Sequence, residues 1–392
     1  MSENKNKSTI DILSRLVSFN TTSHLSNLEL IEWVLKYLQQ SGFDVTVIPG
    51  QEKGKANLFA MAGPKNQPPI MLTGHSDVVP VNDQIWDTDP FTLTIKDNRA
   101  YGRGSCDMKG FLASVLAAAP AVGQAAKDKK LNQPLAIVIT YDEESLMTGA
   151  DDFLEYLKTM TFKPASIIIG EPTNMQVVEG HKSSITYETI IYGFGAHSSN
   201  PRLGANAILP MADVIQFIDK MATEAASNPI AGSQFDPPYS TFNIGEVIGG
   251  TAHNITAPKA RLIWQIRSEP NDDWESYAKR LENFLDHDLI PRWQSIHPSF
   301  RAENHLHEAR FALKPLPNNP AAELAARLTG HNERKVVAYC TEGGVFQQAG
   351  APIVICGPGS IDQAHQSNEW IDLDQLEQCD RFMNRLLTYL QS

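Results

Sequence analysis

Four short runs constrain this chain most: "IMLTG" from Ile70, "LAIVITY" from Leu135, "SIIIG" from Ser166 and "IVICG" from Ile353. They are nearly continuously apolar, not apolar at every second residue. A strand written this way must be covered above and below, as in the sheet of an α/β protein. Helical periodicity fills the spaces between them. "LELIEWVLKYLQQSGF" (28–43) repeats apolar residues at helical spacing and closes near a Gly, and "MKGFLASVLAAAPAV" is a helix whose small residues allow close packing. A further helix is expected near 149–159. "FTLTIKDNRAYGRG" predicts a hairpin with Asp97 and Asn98 at its turn. The α/β style resumes at "NPAAELAARLTG" and ends with the helix "LDQLEQCDRFMNRLLTYL".

Between 181 and 312 the character differs. "SSITYETIIYGF" alternates, as a strand with one wet face does. A helix over 205–224 and a Pro/Gly/Ser-rich loop over 227–240 follow. Then come "TFNIGEVIGG", "KARLIWQIR", a helix over 272–286 and a last strand around "PSFRAENHLHEARFAL". That order is βαββαβ, the ferredoxin-like pattern. The expected organisation is an α/β domain in two parts, 1–180 and 313–392, interrupted by an α+β domain at 181–312.

A length of 392 residues suits two domains, and 42% hydrophobic residues suffice for a sizeable core. The net charge of -12 argues against nucleic acid or an anionic membrane as the partner. No apolar run approaches the ~18 residues of a membrane helix, and "MSENKNKSTIDILSRL" lacks the apolar segment of a signal peptide. Cys106, Cys340, Cys356 and Cys379 form no CxxC, so reduced thiols and a cytoplasmic setting are expected.

The apolar runs share a second property: where they stop, a potential metal ligand begins. "IMLTG" leads to His75 and Asp77, "IVITY" to Glu143 and Glu144, "SIIIG" to Glu171, and "IVICGPGSIDQA" to His365; the hairpin arm "YGRGSC" leads to Asp107. Sites in open α/β sheets gather outside the carboxyl ends of the strands. Each residue alone has a structural reading. Asp107 precedes a helix and could cap it, and paired acids usually sit in solvated loops. Five such coincidences at strand ends point instead to a divalent-cation site, and the two histidines favour zinc over magnesium. Adjacent carboxylates then divide the work: one ligates while its neighbour takes a proton from water.

"GHSDVVPV", "WDTDPF", "YGRGSCDMKG", "DEE", "GEPT", "GAHSS" and "GPGSIDQAHQSNEW" together resemble the dizinc metallohydrolases that include acetylornithine deacetylase, succinyl-diaminopimelate desuccinylase, aminoacylase and carboxypeptidase G type enzymes. The resemblance spans nearly the whole chain. It implies a zinc-exopeptidase-like α/β/α catalytic domain with an inserted lid and dimerisation domain. It also implies two divalent metal ions, zinc with cobalt as a substitute, and a homodimer formed through the insertion.

Residue by residue, it implies that His75 and Glu171 bind one metal, that Glu144 and His365 bind the other, and that Asp107 bridges them. Asp77 would orient His75, and Glu143 would be the general base that activates a bridging water and later protonates the leaving amine. His197, in "GAHSS", would reach a partner's active site as an oxyanion donor. Asn254 and Arg267 would hold the substrate. "SLMTGA" departs from the small, Gly-containing continuation expected after the acids, and Cys106 reads as a buried thiol. "GTAHNI", "CTEGGVFQQAG" and "GPGSIDQAH" lie nearest the acetylornithine deacetylase members. The expected reaction is therefore deacetylation of N2-acetyl-L-ornithine to ornithine and acetate, in arginine biosynthesis. Another N-acyl amino acid, succinyl-diaminopimelate or a small dipeptide is the alternative substrate, and a non-catalytic binding protein is the remaining reading. The absence of a GxSxG elbow disfavours a serine hydrolase, and "GRGSCDMKG" matches no nucleotide-binding motif.

Overall fold

A computed structural model describes residues 8–82 and 84–392. Fifteen strands run in chain order: β1 (Asp44–Pro49), β2 (Ala56–Ala62), β3 (Ile70–His75), β4 (Thr94–Lys96), β5 (Arg99–Tyr101), β6 (Leu135–Thr140), β7 (Ser166–Pro172), β8 (Val177–His181), β9 (Ser184–Tyr192), β10 (Thr241–Gly249), β11 (Lys259–Arg267), β12 (Arg301–Arg310), β13 (Arg334–Val337), β14 (Ile353–Gly357) and β15 (Trp370–Asp372). The chain divides into two compact units. One comprises Met1–Gly180, Pro315–Lys335 and Thr341–Ser392; the other comprises His181–Lys314 and Val336–Cys340.

The second unit therefore exceeds the expected 181–312. His181 and Leu313 exchange both backbone hydrogen bonds at 3.1 Å, and the Lys182 N–H donates to the Val337 carbonyl at 3.3 Å. These bonds draw in 313–314 and 336–340, which the sequence reading assigned to the third segment.

The first unit is built on an eight-stranded sheet in the order β1-β2-β6-β3-β7-β14-β8-β13. Its centre, β6-β3-β7-β14, is parallel. Every residue of those four strands is buried, as their unbroken apolar runs require. Parallel register brings the carboxyl ends of β3, β6 and β7 to one end of the sheet, with His75 opposite Thr140. The helix Lys109–Lys127 packs closely here. A Cβ on Gly170 of β7 would lie 2.0 Å from the ring of Phe111, so only glycine fits. Phe111, Leu112, Val115 and Leu116 of that helix are each at most 1% exposed. Each such side chain contributes about 1.5–3 kcal/mol of transfer free energy. The predicted hairpin forms as β4 and β5, with both turn residues in the left-handed region, Asp97 at φ 50° and Asn98 at φ 59°.

The second unit is a four-stranded antiparallel sheet in the order β10-β11-β9-β12. The first and third strands of βαββαβ thus lie in the middle, which is the ferredoxin-like arrangement. The helices Ile208–Ser227 and Trp274–Phe284 cover one face and share a core with Tyr187, Leu262 and Trp264. The wet face expected of β9 is absent, since seven of its nine residues are buried. Side chains of β11 shield that face: Arg261 pairs with Glu188, and the Gln265 amide donates to Ser184 and Thr186. The helix expected to stop at 286 continues through a π turn, Leu285–Leu289, into Ile290–Gln294. Among the described residues no helix is long and apolar enough to cross a membrane.

Candidate metal centre

His75 ends β3 and is 1% exposed. Its Nδ1–H donates to the Asp77 carbonyl at 3.0 Å, which leaves the Nε2 lone pair facing outward from the strand. Nε2 meets two carboxylates, Asp107 Oδ1 at 3.1 Å and Glu171 Oε1 at 3.8 Å. Glu171 stands on the adjacent strand β7, so parallel pairing itself supplies this group.

Asp107 turns its other oxygen the opposite way. Oδ2 lies 3.4 Å from His365 Nε2, and the same nitrogen is 2.8 Å from Glu144 Oε2. His365 occupies the left-handed region at φ 61°. Two triads result, His75–Asp107–Glu171 and Asp107–Glu144–His365, each with its ligating atoms within 4.8 Å of one another. They share Asp107.

The electrostatics of this cluster call for cations. Burial, then Glu171, pushes the Glu143 carboxyl well above its ordinary range. Burial and then Asp107 raise Glu171 as well, and the same two causes push Glu144 up to about 7. His365 is lifted to about 10 by Asp107 and Glu144. Burial pulls His75 down, but Asp107 and Asp77 outweigh it and hold the imidazole well above its usual value. Without metal ions, these carboxylates are relieved only by protons on the imidazoles and glutamates, the positions that divalent ions would take over. Nitrogen and oxygen donors in two sets of three suit a pair of divalent ions of the zinc type.

The loop carrying the acids is held from below. Asp77 Oδ1 accepts the Glu143 N–H at 3.1 Å, and Oδ2 accepts the Glu144 N–H at 3.2 Å and the Ser23 hydroxyl at 2.6 Å. The Asp77 carboxylate also lies 3.5 Å from His75 Nδ1. Asp142 has a separate job: it pairs with the buried Lys55 ammonium, which also donates to the Ser23 carbonyl. The three consecutive acids thus have three surroundings. Against the sequence reading, "SLMTGA" does carry a glycine where space demands one: a Cβ on Gly149 would lie 2.3 Å from the Tyr141 carbonyl oxygen. Cys106 is a buried thiol that donates to the Ser360 carbonyl at 3.3 Å, outside both triads.

The three residues expected to touch substrate lie in the second unit. His197 is exposed, and its Nδ1 accepts the Ser199 N–H at 3.2 Å and the Ser199 hydroxyl at 2.7 Å. The ring proton therefore belongs on Nε2, where it can be donated. The Asn254 carbonyl accepts the Ser198 N–H at 3.0 Å, which fixes Asn254 beside His197. Arg267 is elsewhere. It ends β11 at the rung where Ile266 faces Ile185, whereas His197 follows the other end of β9, where Tyr192 faces Lys259. At ~3.3 Å per residue, the nine-residue strand β9 separates them by on the order of 25 Å. One copy of the chain does not bring His197 and Arg267 together.

Sequence reading missed Asp77's hold on both glutamates, the Lys55–Asp142 pair, and Glu369. The last lies inside "HQSNEW", yet a single Glu after a loop carries no spacing signal. Glu342 is also buried, and burial raises it to about 7.

Fold and ligand cluster together define a metal-dependent hydrolase. The chain belongs to peptidase family M20/M25/M40, which matches residues 71–389. Solved structures of the same fold include the aminopeptidase PepT from Bacillus cereus, with 19% identity, TM-score 0.74 and 99% of each chain covered. Another is the di-peptidase Dug1p from Saccharomyces cerevisiae, with 18% identity, TM-score 0.73, and 98% of this chain and 95% of that one covered. A third is a dinuclear metal binding peptidase from Bacillus subtilis, with 16% identity, TM-score 0.66 and 97% of each chain covered.

Proposed function

We propose that this chain is a two-metal amide hydrolase that deacetylates N2-acetyl-L-ornithine to L-ornithine and acetate. The observation that carries the two-metal reading is the placement of Asp107, one oxygen toward His75 and the other toward His365. His75 and Glu171 would hold one ion, Glu144 and His365 the other, with Asp107 common to both. Zinc is the ion proposed, with cobalt able to replace it. Bound there, divalent ions supply Lewis-acid polarisation of the scissile carbonyl and acidify water.

The chain's own residues do the rest. Glu143, in neither triad, accepts the proton of the attacking water as its oxygen bonds to the acyl carbon. Asp77 keeps Glu143 and Glu144 from exchanging places by binding both backbone N–H groups. As the C–N bond breaks, Glu143 returns that proton to the leaving nitrogen. His197, with its proton on Nε2, is the donor proposed for the developing oxyanion. Asn254 and Arg267 are proposed to bind the substrate. Their separation from one another within one copy supports a homodimer in which His197 and Asn254 act on the partner's substrate. A cytoplasmic setting is part of the same reading.

The choice of N2-acetyl-L-ornithine rests on the motifs "GTAHNI", "CTEGGVFQQAG" and "GPGSIDQAH". A second reading, a short peptide as substrate, is favoured by the structural likeness to the di-peptidase and to a Staphylococcus aureus tripeptidase. Both use the same bond chemistry. Purified protein, chelated and then restored with zinc or cobalt, should hydrolyse N2-acetyl-L-ornithine faster than N-succinyl-diaminopimelate, N-acetylmethionine or a dipeptide. Faster cleavage of the dipeptide would replace the substrate and keep the centre.

A further inference from the structure

We infer that Glu369 is the positioning residue for Asp107 and, through it, for both candidate cation sites. The inference rests on the two-metal reading above.

Glu369 is 1% exposed and spends its whole carboxylate on one loop. Oε1 accepts the N–H of Cys106 at 2.9 Å and that of Asp107 at 3.0 Å. Oε2 accepts the N–H of Gly104 at 2.9 Å and the Arg103 guanidinium at 2.8 Å. The Glu369 backbone carbonyl accepts the Gly102 N–H at 2.9 Å. A carboxylate has about four acceptor positions, and all four are filled from residues 103–107.

This loop belongs to no strand and precedes the helix that starts at Lys109, so no ladder fixes its path. Gly104 sits at φ +79°, a conformation that favours glycine. The loop's buried N–H groups must find acceptors: Ser105 donates back to the Gly102 carbonyl at 3.0 Å and Arg103 to the Pro90 carbonyl at 2.8 Å, and Glu369 takes the remaining three, Gly104, Cys106 and Asp107. Holding the Asp107 N–H anchors the backbone from which both carboxylate oxygens reach opposite imidazoles.

The origin of Glu369 adds a second function. It follows His365 by four residues, on the segment that continues into β15, and β15 pairs with β5 just before the loop. One stretch of chain thus brings a ligand for one triad and the clamp for the ligand shared by both. The 3.4 Å approach of Asp107 to His365 is set by that stretch. A glutamine could not replace the glutamate. Whichever way its amide lay, the NH2 would face two donors, and two of the four bonds would be lost. Arg103 gives the buried carboxylate a countercharge but also donates to the Gln366 carbonyl at 3.2 Å, beside His365, so the structural control is Asn319, which caps the helix Pro320–Thr329 and donates to the Ile353 carbonyl at 2.7 Å.

The test is zinc titration of the chelated full chain, with affinities read by competition against a chromophoric chelator and folding read by far-UV circular dichroism. The wild type should bind two equivalents. Glu369→Gln should remain folded and bind at least one equivalent 10–100-fold more weakly, the range for losing a group that orients a ligand. Asn319→Ala should melt at lower temperature and keep affinities near wild type. Glu369→Asp keeps the charge but withdraws the carboxylate by one methylene. It should weaken zinc in the same direction, and it decides the matter if Glu369→Gln does not fold. Two equivalents at wild-type affinity in the folded Glu369 variants would overturn the inference. So would an equal loss in Asn319→Ala. A wild type that takes up no zinc overturns the two-metal reading and the inference together.

Discussion

The carboxylate of Asp77 accepts the backbone N–H of Glu144, beyond the end of the neighbouring strand β6 and 67 residues away in the chain. Its other oxygen holds the N–H of Glu143. A residue first read as the support of one histidine is thus the support of the proposed base and of a proposed ligand as well. Asp77→Asn replaces one acceptor by a donor facing an N–H. The variant should fold, lose about 10–100-fold in zinc affinity, and lose turnover even when saturated with metal. Turnover restored fully by added zinc would show that Asp77 serves His75 alone.

The two neighbouring glutamates should fail differently. Glu143→Gln should retain both metals and lose about 10²–10⁴-fold in kcat, the usual share of general-base catalysis. Glu144→Gln should lose metal first and activity as a consequence. Metal analysis of both variants beside their kinetics checks this, and the opposite pattern would exchange the two assignments.

His197 should matter to turnover and not to folding. His197→Ala is expected to keep its oligomeric state and its melting temperature and to lose about 10²–10³-fold in kcat, as for loss of one oxyanion donor. An inactive His197→Ala mixed with an inactive Glu143→Gln should recover activity if the histidine acts across a dimer. No recovery in a mixture shown to exchange subunits would place its action within one chain.

Much of this was legible in the sequence for a simple reason. His75, Glu171 and the 142–144 acids directly follow strands apolar on both faces, and the burial that forces such strands into the sheet centre also carries their ends together. Asp107 and His365 were legible through motifs rather than periodicity. What stayed hidden depends on long-range hydrogen bonds. Glu369 meets residues more than 260 positions away, and no local pattern marks it. The capture of 336–340 by the second unit and the shielding of β9 by Arg261 and Gln265 arise from strand neighbours that propensity does not reveal.

His181 provides a separate pH test. It is fully buried, with Nδ1–H donating to the Lys182 carbonyl at 2.8 Å, and burial pulls its pKa down to about 4. Between pH 6.5 and 4 the unfolded chain therefore binds the extra proton, so stability falls as pH falls. From pH 7.5 to 5 this single group should remove about 2 kcal/mol. Urea unfolding of His181→Gln should show a correspondingly smaller loss over that interval than wild type. Equal losses would mean that the imidazole is solvated.

The most direct measurement is the zinc bound per chain when the chelated protein is titrated, for wild type and for Asp107→Ala. A centre built around one shared carboxylate predicts two ions in the wild type and at most one in the variant. One ion or none in the wild type, or two held undisturbed without Asp107, would contradict it.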